Sequence, residues 1–292
     1  MNRPLRALIL AAALAGGGTV TAQEDMLWRE VDPGNTVNME LDVGTVIIEL
    51  NPVFAPGTVE QFKRLVGEGF YRGLSFYRVI DGFVAQGGDE SDVGLENSQP
   101  ALPAEFERRW DEKLAWTRVE ARDMFEAETG FIDGFAAGRE RDSVWLLHCP
   151  GVVAMARGDE PDSGSTDFYI VIGQSPRYLD RNLTVFGRVV HGMDAVQRIR
   201  RGPVDANGII ERDTDRSRIL NMSLGHAMTG EEKRTVYVMD TNSNGFSDYM
   251  KARRNRSDDF FHHRPPRVLD ACQVPVGTRL EKPPSGNRPP TR

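Results

Sequence analysis

Apolar and polar positions alternate from Thr36 to Leu50 on both sides of Asp42-Val43-Gly44, in the run TVNMELDVGTVIIEL. A period of two broken by a tight turn predicts two half-buried strands joined as a hairpin. The next run, APGTVEQFKRLVGEGF, changes period, because Val59, Phe62, Leu65 and Val66 share one helical face, with Thr58 as N-cap and Gly69 as stop. Short β-rich runs follow at 74–80, 83–86, 151–156, 167–172 and 184–190, separated by Gly, Pro and Asp clusters. A second helix is predicted where Met193, Val196 and Ile199 recur, and a last strand from Arg218 to Leu224. Many short strands with two helices predict a mainly β fold, a closed barrel capped at its ends.

Two regions leave this rhythm. Residues 107–145 are charged and carry Trp110, Trp116, Phe125, Phe131, Phe135 and Trp145, with part of the run helical in pattern. They read as an insertion, serving either as a packing patch over one barrel edge or as a wall of a groove, and the weight of tryptophan favours packing. Residues 225–292 hold one helical candidate, FSDYMKARRNR, before a Pro-rich end that is expected to be poorly ordered after about residue 280.

The N-terminus adds a compartment. Arg3 and Arg6 precede an apolar run from Ala7 to Ala15 and small residues ending at Val20-Thr21-Ala22, the layout of a signal peptide cleaved before Gln23. That apolar run is too short to span a bilayer, and no later stretch is apolar for long enough. Residues 23–35 then form a short lead. Losing residues 1–22 removes two arginines and no acid, which takes the net charge from −7 to −9 and makes nucleic acid a poor partner. The two cysteines, Cys149 and Cys272, lie far apart in sequence. Export would let them bond and tie the tail to the domain; two separate thiols are the equal alternative.

Other chemistry finds little support. Asp240, Asn242, Asn244, Gly245 and Asp248 imitate the start of a calcium loop, but its closing position is Lys251, so an Asn-Gly turn entering a helix is preferred. His262-His263 has no third ligand at suitable spacing, and no metal or cofactor is expected. Ser163-Gly164-Ser165 is not a nucleophile elbow.

The stretch FYRVIDGFVAQGGD, residues 76–89, resembles the signature of the cyclophilins, in which aromatic-X-Arg precedes Gly-Phe and Gln-Gly-Gly-Asp. GVVAMARGDEPDSGSTDFYIVIG (151–173) and YLDRNLTVFGRVVHGMDAV (178–196) are similar to later family blocks, in the family order. The resemblance spans most of 37–224. It implies a closed antiparallel eight-stranded β-barrel with two capping helices over residues 36–224, and peptidyl-prolyl cis-trans isomerase activity. By the same resemblance Arg78 is the catalytic arginine, Phe83 the floor of a proline pocket and Gln86 the polar residue beside the rotating amide. Met155, Ala156 and Arg157 would line the peptide groove, and Tyr169 would wall the pocket.

Three positions depart from better-known members. Asp167 replaces a groove glutamine, Tyr178 a tryptophan and Leu183 a histidine or tyrosine. An aspartate cannot donate as an amide does, and its charge offers Arg78 a partner in the empty site. These changes keep a second reading open, a proline-directed binding module or chaperone with little turnover. The implied partners are proline-containing polypeptides, with exported or outer-membrane proteins of a periplasm as the expected clients.

Overall fold

The computed structural model describes residues 28–90, 99–125 and 127–281. The expected signal peptide and the end of the Pro-rich tail lie outside the described residues. In chain order the strands and helices are β1 (Trp28–Glu30), β2 (Thr36–Leu41), β3 (Gly44–Leu50), α1 (Pro56–Gly67), β4 (Ser75–Ile80), β5 (Val84–Gly88), β6 (Arg108–Arg109), β7 (Trp116–Glu120) and β8 (Glu128–Ile132). They continue with β9 (Phe135–Glu140), β10 (Ser143–Leu146), β11 (Val152–Met155), β12 (Phe168–Val171), β13 (Val185–His191), α2 (Met193–Arg198), β14 (Ser217–Leu224), β15 (Thr235–Met239), α3 (Asn244–Arg254) and β16 (Thr278–Glu281).

Eight strands close an antiparallel barrel in the order β11-β12-β5-β4-β14-β2-β3-β13. The expected hairpin opens it, with Leu41 opposite Gly44 across the Asp42-Val43 turn. Alternation sends Val37, Met39, Val46 and Ile48 inward to one core with Val153, Met155, Phe168 and Ile170. Both expected helices join that core, α1 through Phe62 and Leu65, α2 through Ala195 and Val196. The ring of Phe62 meets those of Tyr71, Phe168 and Phe186 at centroid distances of 5.1, 5.6 and 4.9 Å.

Helix α1 starts earlier than its expected cap. Ala55 occupies the N-cap and Pro56 the first helical position, where a missing N–H costs nothing. Thr58 is inside the first turn and buried. The Glu105 carboxylate does the capping, accepting from the N–H groups of Gly57 and Thr58 at 2.9 Å each.

The 107–145 region holds strands where part of it had read as helical. A five-stranded antiparallel sheet runs β6-β10-β9-β8-β7. Asp133-Gly134 turns β8 into β9 with φ of +49° and +83°, the left-handed pair that a two-residue hairpin needs. Gly138 leaves room for Trp145, since a Cβ there would lie 2.7 Å from the indole. Packing is therefore the role of the tryptophans: Trp145, Phe131 and Phe135 join a second core with Val84, Val152, Ala154, Tyr169 and Val171 on the outer barrel wall. Helix α3, as expected from FSDYMKARRNR, adds Phe246 and Met250, while Leu269, Ala271 and Val274 close the same cluster.

Cys149 and Cys272 are bonded, with α-carbons 4.9 Å apart across 123 residues of sequence. A third sheet, β1-β15-β16, covers Ile47 and Val190 of the barrel with Val31, Val236 and Val238. Where the pieces meet, Glu49 accepts from Arg29 and from Arg188, the latter at 2.8 and 3.0 Å. The same two arginines donate to the carbonyls of Asp133 and Gly134 in the added hairpin. The calcium-like run is a helix entry: Ser243 caps α3 by accepting from Phe246 N, and Lys251 pairs with Asp248 at 2.7 Å.

Candidate active site

The site grows from the pairing of β4 with β5, which sets Arg78 opposite Gln86. Arg78 Nη1 donates to Gln86 Oε1 at 3.0 Å. A β-bulge between Ser75 and Arg78 interrupts alternation, so the consecutive side chains of Tyr77 and Arg78 both reach Gln86. On the next strand Tyr169 lies opposite Gln86, and Ala154 opposite Tyr169.

A pocket of about 320 Å³ opens over this surface. Arg78 and Gln86 supply its polar side, Phe83, Val84, Ala156 and Tyr169 its apolar one, and Leu179, Leu183 and Arg157 its remaining wall. An apolar slot with the Arg78 guanidinium fixed at its edge suits a small ring carrying a neighbouring amide. Arg157 lines it with Nε and Nη1 already engaged, bonding the carbonyls of Asn182, Gly158 and Asp159 at 2.7–3.1 Å. Tyr178 is 69% exposed and stacks on Phe83 at 6.5 Å between centroids, so it stands on the rim outside the pocket lining.

Two expected contacts are placed elsewhere. Met155 alternates with Ala154 and Ala156 and therefore points into the barrel core, away from the pocket. Asp167 is fully buried. Its Oδ2 accepts from Tyr77 Oη at 2.5 Å and its Oδ1 from the backbone N–H of Asp89 at 2.8 Å, while Arg78 bonds Gln86 instead. Burial pushes the Asp167 carboxyl up to about 7, with the Tyr77 bond opposing and nearby Asp89 adding to the rise.

Four participants escaped the sequence. Val84 directly follows the pocket phenylalanine and shares a strand face with Gln86, which alternation could have flagged. Leu179 follows Tyr178 in the same short turn. Tyr77 was hidden by the bulge. His148 sits behind Tyr169 with no exposed surface, its Nε2 2.9 Å from Tyr169 Oη and its Nδ1 3.0 Å from Asp180 Oδ1. The carboxylate can only accept, so Nδ1 carries a proton and donates to Asp180, while Nε2 shares a hydrogen bond with the tyrosine hydroxyl. Asp180 is paired in turn with Arg177, which reaches Asp123 of the inserted region at 2.9 Å. Burial, then the charge of Asp180, pushes the Tyr169 phenol above its ordinary value.

Known proteins share the sequence pattern and the fold of this chain. A family model described as cyclophilin type peptidyl-prolyl cis-trans isomerase/CLD matches residues 36–223. A probable peptidyl-prolyl cis-trans isomerase of Brucella suis is 33% identical over 222 residues, covering 71% of this chain and 91% of its own. Peptidyl-prolyl cis-trans isomerase B of Bacillus subtilis is 30% identical over 163 residues, 58% of this chain and 88% of its own. The crystal structure of cyclophilin AquaCyp293 from Hirschia baltica is similar with a TM-score of 0.73 at 30% identity, covering 90% of this chain and 96% of that one. That likeness reaches beyond the barrel, since 90% of the chain exceeds the span of the family model.

Proposed function

Because the chain belongs to the cyclophilin-type peptidyl-prolyl cis-trans isomerases, we propose that Arg78, Phe83 and Gln86 carry its rotation of Xaa-Pro bonds. The protein is a peptidyl-prolyl cis-trans isomerase, and its substrates are proline-containing chains. Rotation must break amide resonance, a barrier of about 20 kcal/mol, with no bond cleaved. As the C–N bond twists, the nitrogen gains a lone pair that a guanidinium can bond better than it bonds the planar amide. Arg78 is the donor for that state. It stays charged at any physiological pH, and its bond to Gln86 fixes one edge of the fork.

Phe83, Val84, Ala156, Tyr169, Leu179 and Leu183 grip the pyrrolidine ring in this reading. Gln86 holds a substrate backbone group with the amide hydrogen left over from its bond to Tyr77. The observation that carries the assignment is the Arg78 guanidinium, held by Gln86 at the edge of the apolar pocket. A protease-coupled assay on Ala-Pro peptides tests it: Arg78→Ala lowers kcat/KM at least about tenfold. Activity unchanged in Arg78→Ala overturns the assignment.

The working place of the enzyme is the second part of the proposal. The basic start, short apolar run and Val20-Thr21-Ala22 support export to a periplasm, where the isomerase would speed slow prolyl steps in the folding of exported clients. A bonded cysteine pair is consistent with such a compartment. Mass mapping of the protein from cell fractions checks this, with a mature chain starting at Gln23 in the periplasmic fraction as the expected result. A full-length chain confined to the cytoplasm sinks it.

A further inference from the structure

We propose that Asp167 is a positioning residue of the isomerase centre, its carboxylate setting, through Tyr77 and Gln86, the direction of a buried hydrogen-bond chain that ends on Arg78. The inference rests on the assignment of Arg78 and Gln86 given above. The links are short and continuous: Asp167 Oδ2 to Tyr77 Oη is 2.5 Å, Tyr77 Oη to Gln86 Nε2 is 2.7 Å, and Gln86 Oε1 to Arg78 Nη1 is 3.0 Å. Tyr77, Gln86 and Asp167 are buried, at 2%, 6% and 0% exposure. Water has little access to substitute for the two links among these three residues.

The chemistry of each group determines which way the chain runs. An ionised carboxylate only accepts, so the single hydrogen of the Tyr77 hydroxyl goes to Asp167. The tyrosine oxygen must then accept from the Gln86 amide NH₂. That leaves the Gln86 carbonyl oxygen facing the guanidinium, which only donates. Every link is satisfied in one orientation. With a residue at 167 that can also donate, the hydroxyl of Tyr77 could turn toward Gln86, and the amide would flip to set NH₂ against Arg78. The carboxylate forbids that arrangement while it is ionised.

The fold makes room for this particular side chain. At Gly88, φ is +145°, and a Cβ there would lie 2.0 Å from Asp167 Oδ1. Only glycine allows the carboxyl to lie flat against β5. Other charged and titratable groups face it from the neighbouring segments. Asp89 bonds Asp167 through its N–H and places a second carboxylate nearby, and the Thr166 hydroxyl lies 3.1 Å from Asp167 Oδ1 and 2.5 Å from Asp89 Oδ1. Glu90 is paired with Arg216, whose guanidinium stands 6.0 Å from the Tyr77 ring. Burial beside Asp89 raises the proton affinity of Asp167 into the neutral range, to about 7. Protonation weakens the acceptor at the head of the chain and permits the reverse direction, so Arg78 is held most firmly above neutrality.

The test is the pH profile of kcat/KM on an Ala-Pro peptide, with the uncatalysed rate subtracted, for the full chain and three variants. The wild type rises about threefold to tenfold from pH 5.5 to 8.5 with a midpoint near 7, as a charge-assisted bond is gained. Asp167→Asn is isosteric, removes the titration, and gives a low, flat profile. Tyr77→Phe cuts the next link and gives a flat profile too, so it decides the matter if Asp167→Asn does not fold. Arg78→Ala is measured alongside. If Arg78→Ala abolishes activity while both other variants stay within about twofold of wild type and keep its bend near 7, the relay is overturned and the assignment of Arg78 stands. If Arg78→Ala keeps its activity, the assignment falls and the relay falls with it.

Discussion

Two buried polar chains run back from the pocket, and they end differently. Behind Arg78 the chain passes through Gln86 and Tyr77 to Asp167, whose carboxyl lies beside the carboxylate of Asp89. Behind Tyr169 it passes through His148 to Asp180, which is paired with Arg177, itself paired with Asp123. A carboxylate neutralised by a guanidinium has its charge settled, whereas one buried beside a second carboxylate is poised to take a proton. The first chain is thus suited to tuning chemistry and the second to holding a wall in place. The wall is also where the inserted sheet enters the barrel domain, through Asp123.

The comparison can be broken at several depths. The largest effect is expected from His148→Ala, which leaves Tyr169 Oη and Asp180 without their shared partner and opens a buried cavity. A loss of about 3–4 kcal/mol in urea unfolding is expected, with a smaller effect on kcat/KM than that of Asp167→Asn. Activity lost in the same proportion as in Asp167→Asn would erase the distinction between the two chains.

A second test uses the proton itself. The folded protein holds the Asp167 proton to about pH 7, while the unfolded chain releases it near the ordinary aspartate value of about 3.9. Between those values the folded state binds more protons, so this group's contribution to stability is full below pH 4, declines as pH rises, and is gone above 7. The difference in stability between pH 5 and pH 8 should shrink in Asp167→Asn by on the order of 2–3 kcal/mol, read from urea midpoints at the two pH values. An unchanged difference would mean that Asp167 is ionised throughout. The smallest effect is expected from Tyr169→Phe, which keeps the ring in the pocket and loses one bond to His148. About 1 kcal/mol of stability and less than a threefold change in kcat/KM should result.

The barrel was readable because its pattern is local. Val37, Met39, Val46 and Ile48 announce their faces by alternation, and Phe62 with Leu65 announces a helix, whatever the rest of the chain does. The inserted sheet was less readable, since its outward positions carry charge and its inward ones mix glycine with tryptophan. Asp133-Gly134 was the available signal, a two-residue hairpin turn between apolar runs. At the site, Arg78, Phe83 and Gln86 were reachable through the signature, and the pocket brings all three together. Met155 was misplaced by one step of the pleat, a distinction that alternation around Ala154 and Ala156 carries. Tyr77 depends on a bulge and His148 on two distant segments, and neither has a local signature.

The second core has a consequence for anyone who would reduce the enzyme to its catalytic barrel. Val84 and Tyr169 line the candidate pocket, yet they belong to the same apolar cluster as Phe246, Leu269 and Val274, residues that lie after the last barrel strand. A chain cut at residue 224 would carry every pocket side chain and still present bare apolar surface where those residues belong. They leave the ribosome after the whole barrel. Until they arrive, the second core of the isomerase is incomplete.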